Sequence, residues 1–121
     1  MLLTSGCFNH GCGSCINDPL VTQDSLLFSY SGDFSNYYSS ESFFWFTDLH
    51  DAYVTLDGLK FDGVVRIRIF DNFNFKIFDE TFFGNGGNVI YKSLSDLGVP
   101  GLWEVVIEST DVDGYLQVVL D

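Results

Sequence analysis

The sequence predicts an all-β protein, an antiparallel two-sheet β-sandwich of Greek-key or jelly-roll type with about eight strands. Three observations lead there. From Ser25 onward short apolar runs alternate with polar residues at period two, and no stretch keeps a helical period. Aromatics make up 17 % of the chain, with 13 Phe among them, a composition that suits half-buried strands and argues against disorder. Gly, Asn and Asp punctuate the runs at the short intervals that tight turns require.

Taken in order, the expected strands are Leu26 to Tyr30, Ser42 to Thr47, Ala52 to Asp57, Val64 to Phe70, Phe73 to Asp79, Asn88 to Lys92, Trp103 to Ser109 and Tyr115 to Leu120. Two of them specify their faces. Val65, Ile67 and Ile69 alternate with Arg66 and Arg68, and Trp103, Val105 and Ile107 alternate with Glu104 and Glu108. The opposed charges suit a pairing of these strands, with Arg66 or Arg68 facing Glu104 or Glu108 across solvent. Asp57-Gly58, Asp71-Asn72, Gly84 to Gly87 and Asp113-Gly114 are read as hairpin turns, and Ser93 to Leu97 as one helical turn before Pro100.

At 121 residues the chain suits one core, with residues 1–21 expected as a leader or anchor and residues 22–121 as a single domain. Asn17-Asp18-Pro19 marks the turn between them. A net charge of −12 repels phosphate backbones, so nucleic acid is excluded as a partner. No apolar run approaches the roughly 20 residues of a membrane-spanning helix.

All three cysteines, Cys7, Cys12 and Cys15, fall in the leader with His10. The stretch Leu3-Thr4-Ser5-Gly6-Cys7 resembles the lipobox of bacterial lipoproteins. That resemblance implies a lipid on Cys7, a shortened signal before it, and a place in the cell envelope or outside the cell. Phe8 after the cysteine suits an outer-membrane lipoprotein. It also leaves Cys12 and Cys15 free to form a local disulfide. Two other readings stand beside it. Cys7, His10, Cys12 and Cys15 are of the types that hold Zn²⁺, although one nine-residue loop would have to wrap the ion. Alternatively, the segment is a leader whose cysteines are incidental.

The later part of the body, from Val65 to Asp71, Val99 to Glu108 and Asp113 to Leu120, resembles secreted bacterial sandwich modules of the pre-peptidase C-terminal and P-domain kind. The resemblance implies an accessory module without catalysis. The residues themselves agree, since nucleophilic chemistry needs a base and the body offers only His50, between Leu49 and Asp51.

Two candidate sites follow. Asp111 and Asp113, before Gly114 and with Glu108 nearby, form an oxygen-rich stretch suited to Ca²⁺, to which Asp71 and Asp79 could add ligands. Tyr37, Tyr38, Phe44, Trp45 and Phe46 crowd aromatics onto both faces of one strand, as a sugar platform or protein interface would. The expected function is a non-catalytic extracellular or envelope-anchored binding or assembly module, with a protein or carbohydrate partner at the cell surface. A self-associating subunit of a surface layer or filament is the second expectation, and a small metal-dependent enzyme the third.

Overall fold

In the computed structural model, which describes residues 16–121, the chain is all-β and antiparallel. Six strands form it: β1 Leu20–Asp24, β2 Leu27–Thr47, β3 Tyr53–Phe70, β4 Lys76–Phe83, β5 Gly87–Leu94 and β6 Gly101–Leu120. They lie in the order β1-β2-β6-β3-β4, with β5 also paired to β3. Six strands replace the eight expected because three pairs of expected segments are continuous, which leaves five, and β1 is added before them. Leu26 to Tyr30 joins Ser42 to Thr47 in β2, Ala52 to Asp57 joins Val64 to Phe70 in β3, and the last two segments join in β6.

The long strands do not run straight. Their pairing shifts register between Phe34 and Ser39 in β2 and between Leu59 and Val64 in β3, both opposite residues 109–115 of β6. Positive φ angles gather at the same places: Asn36 in β2, Lys60 and Gly63 in β3, Asp111 and Gly114 in β6. Bulges of this kind bend a strand and strengthen its twist. Because the three bends are in line, the sheet folds back on itself, and Phe28 comes within 5.7 Å of Phe43 and 5.9 Å of Trp45, ring to ring, inside one strand.

The two glycines explain why the bends fit together. A Cβ on Gly63 would strike the Asp111 carbonyl, and one on Gly114 would strike the Lys60 carbonyl. Side chains tie the bends as well, since Asn36 N–H donates to Asp113 Oδ1 at 3.0 Å and Lys60 N–H to Asn88 Oδ1 at 3.0 Å. The Asp113-Gly114 and Asp57-Gly58 pairs are therefore not hairpin turns. The first sits in the bend of β6 and the second inside β3.

The bent sheet encloses one buried core. Val54, Leu56, Val65, Ile67, Ile69, Trp103, Val105, Ile107, Val118 and Leu120 are fully buried there. Both alternations expected from the sequence hold, and Arg66 lies directly opposite Glu108. Trp45 and Trp103 meet edge to face at 5.6 Å, with indole N–H groups donating to Asp24 O at 2.6 Å and Val99 O at 2.8 Å. A buried indole needs such a partner.

At the end opposite the bends, Asp71 organises the β3–β4 turn and the loop before β6. Its Oδ1 accepts N–H groups from Phe73 and Phe75, and its Oδ2 accepts that of Val99, each at 2.9 Å. This loop, residues 95–100, contains no helical turn. The backbone is instead tied to neighbouring segments, by Ser95 N–H on Ala52 O, Asp96 N–H on Ile77 O and Gly98 N–H on His50 O. The boundary expected after residue 21 falls within β1, and Asn17 is already tied to the body through Ser35.

Candidate binding surface

Residues 39–47 of β2 keep one register with β6. Alternation then decides which aromatics are buried. Trp45 points inward and is fully buried, whereas Phe44 and Phe46 point outward and are 62 % and 66 % exposed. Of the five aromatics expected on a binding surface, Tyr38, Phe44 and Phe46 are exposed. Trp45 is corrected to the core. Tyr37 is half-buried, its ring tilted against Phe34 with centroids 4.7 Å apart and its hydroxyl donating to Glu41 Oε1 at 3.2 Å. Tyr30 donates to the same oxygen at 2.8 Å. Burial, reinforced by the Glu41 carboxylate, pushes the Tyr30 hydroxyl well above its ordinary range, so it stays a donor.

Phe44 and Phe46 continue across the outer face onto β6, where their register partners are Glu104 and Leu102. Glu104 accepts the Ser42 hydroxyl at 2.5 Å. Further across lies a network of charges. Asp79 takes two hydrogen bonds from Arg66, at 2.9 and 2.8 Å, and one from Lys76 at 2.9 Å. Glu108 pairs with Arg68 at 3.0 Å and with Arg66 at 3.7 Å. Arg66, then Lys76, holds the Asp79 carboxyl well below the usual carboxylate range. The guanidinium of Arg66 is raised in turn by Asp79. Beside this network, next to the bends, runs a groove of about 370 Å³ with Ser40, Val64, Arg66, Thr81 and Glu108 in its wall.

The residues expected to bind calcium are not brought together as ligands. Glu108 is engaged by the two arginines, and Asp113 by the Asn36 N–H. Asp71 and Asp79, expected as additional ligands, serve as the loop acceptor and the arginine partner just described. Among the described residues no three His, Cys, Asp or Glu side chains gather as a metal site would need. Cys7, Cys12, Cys15 and His10 lie outside the described residues.

Sequence reasoning missed two parts of this surface. Asp79 had no alternating pattern to link it to Arg66, because the β3–β4 register depends on the bulge between Ile69 and Phe70. The open side of β2 was also not legible. Phe44 C=O accepts the Gln23 side chain at 3.2 Å, so it points away from β6. In an antiparallel ladder a residue's N–H and C=O point the same way and alternate along the strand. Ser40 and Ser42 therefore also turn their backbone groups outward, and among the described residues no strand pairs with that side, since β1 covers only Leu27 to Ser31.

No protein-family model matches the chain, and no curated protein sequence matches it.

Proposed function

We propose that this chain is a non-catalytic binding and assembly module of the extracellular space or cell envelope. The observation that carries the reading is the outward pair Phe44 and Phe46 on a strand whose buried face is already filled by Trp45. Their exposed area adds to that of Phe73, Phe75 and Leu102 near the same end of the fold. The four phenylalanines alone expose on the order of 500 Å², at the upper end of what a soluble monomer leaves uncovered. Ser42 and Glu104 beside the rings supply hydrogen-bonding groups, a combination that suits a carbohydrate chain or a protein partner at the cell surface.

In this reading the folded-over sheet serves as a two-layer sandwich, a rigid scaffold that presents one face. The envelope location rests on the lipobox resemblance of residues 3–7 and places a lipid on Cys7, with membrane contact only through that lipid. Mass spectrometry of native protein would then find acyl chains on Cys7 and nothing before it.

Retention of the full chain on insoluble peptidoglycan, chitin and cellulose tests the carbohydrate side. The expected result is binding to at least one, weakened about tenfold in a Phe44→Ala/Phe46→Ala variant that melts like the parent. No retention on any of the three, or equal retention of the variant, would count against the reading.

A second reading, a self-associating subunit of a surface layer or filament, is favoured by the open side of β2. An unpaired strand edge is a template for another strand.

A further inference from the structure

We infer that two copies of this chain pair antiparallel along the open edge of β2, with Ser42 on the two-fold axis. The inference rests on the self-association reading and names its surface. Two independent observations support it.

The first is the supply of hydrogen-bonding groups. Ser40 and Ser42 present both backbone groups outward, and only the Phe44 carbonyl is capped, by Gln23. The edge also lacks the usual protection. Between Tyr37 and Thr47 there is no Lys, Arg or Pro, and the single charge, Glu41, is turned toward the hydroxyls of Tyr30 and Tyr37.

The second is charge. Across β6 from the edge, the outer face of β3 and β4 carries Arg66, Arg68 and Lys76, which balance Asp79, Glu104 and Glu108, while Glu41 is the one acid on the edge strand between Tyr37 and Thr47. Two cations and fourteen acids elsewhere carry the whole net charge of −12. A second copy, equally acidic, meets three of the chain's five cations on this side.

Symmetry narrows the register. A two-fold axis at Glu41 would oppose two carboxylates, which is unfavourable across strands. An axis at Phe43 would pair Ser42 with the capped Phe44 on both sides of the axis, whereas an axis at Ser42 keeps the central pair clear of the cap and calls on Phe44 only in the flanking pairs, where Gln23 must give way. An axis at Ser42 pairs Ser42 with the partner copy's Ser42, and Ser40 with the partner copy's Phe44. It also sets Phe46 opposite the partner copy's Tyr38, an aromatic pair on the exposed face. Because the segment is short, the dimer is expected to be weak and in exchange with monomer.

Sedimentation velocity of the full chain, in reducing buffer from micromolar to millimolar concentration, reads this directly. The expected result is a reversible dimer for the parent protein and a monomer throughout for Ser42→Lys, in which two ammonium groups would meet at the axis. An equimolar mixture of Ser42→Lys and Ser42→Glu should recover the dimer, which a merely structural defect would not allow. Should Ser42→Lys fail to fold, Ser40→Pro is the second variant, since the N–H it removes is not one that β6 uses. A parent that dimerises together with a Ser42→Lys that dimerises equally would overturn the edge and leave self-association standing. A parent that stays monomeric throughout would overturn both.

Discussion

Phe28 and Trp45 belong to one uninterrupted strand, and their rings lie 5.9 Å apart. A strand advances about 3.3 Å per residue, so the two would be roughly 55 Å apart in a straight β2. The fold depends on closing that distance, and the closure depends on three aligned bends.

The bends should be sensitive to a single methyl group. Gly63 and Gly114 have φ of 93° and 100°, and a Cβ on either would meet a carbonyl oxygen of the neighbouring strand. Gly63→Ala and Gly114→Ala are each expected to cost at least about 2 kcal/mol. Urea unfolding measures it. Gly86→Ala is the control, because its φ is also positive, at 83°, but nothing lies near its Cβ, and it should cost less.

Three consecutive aromatics should divide by direction. Trp45→Ala removes a buried ring and an indole hydrogen bond, and should cost about 3–5 kcal/mol. Phe44→Ala and Phe46→Ala remove exposed rings and should change stability by less than about 1 kcal/mol. Thermal melts of the three variants, recorded side by side, check the pattern.

Asp71 should make the protein sensitive to acid. Burial pushes its pKa up, but the N–H groups of Val99, Phe75 and Phe73 outweigh burial and hold it below the ordinary value. A carboxyl depressed in the folded state contributes stability above its unfolded pKa, near about 4, and loses it as pH falls through the folded value. Asp71→Asn sets an amide donor against N–H groups that Asp71 now accepts. It should be less stable by about 1–3 kcal/mol at neutral pH, and the gap to the parent should shrink below about pH 4. Denaturant midpoints of both proteins from neutral pH into acid test the sign.

Calcium should not act through the β6 bend. Glu108 is held by Arg66 and Arg68, Asp113 Oδ1 accepts from Asn36, and among the described residues no third carboxylate joins them as a ligand cluster. The melting midpoint with excess Ca²⁺ and with chelator should agree within about 1 °C. A rise of several degrees would make the bend a binding site after all.

Much of the fold was legible in the sequence where alternation is unambiguous. Val65, Ile67 and Ile69 opposite Trp103, Val105 and Ile107 declare their faces, and Arg66 opposite Glu108 declares the pairing. The continuity of the long strands was not legible, because Asp113-Gly114 and Asn36 at a bend look like turn residues. Residues 31–41, rich in Ser, fall between two expected strands but extend as strand because β6 supplies their ladder. Trp45 was misplaced for a different reason. Where Phe43, Phe44, Trp45 and Phe46 are all aromatic, period two fixes two faces without saying which is buried, and only the Trp45–Trp103 contact decides it.

Residue-resolved amide hydrogen exchange along β2, at low protein concentration, tests the open edge most directly. The account expects fast exchange at Ser40, Ser42 and Phe44 alternating with protection at Glu41, Phe43 and Trp45, which face β6. Phe28 to Ser31, lying between β1 and β6, should lack that alternation. Uniform protection from Ser40 to Trp45 at low concentration would mean that the edge is already covered within one chain, and would contradict the account.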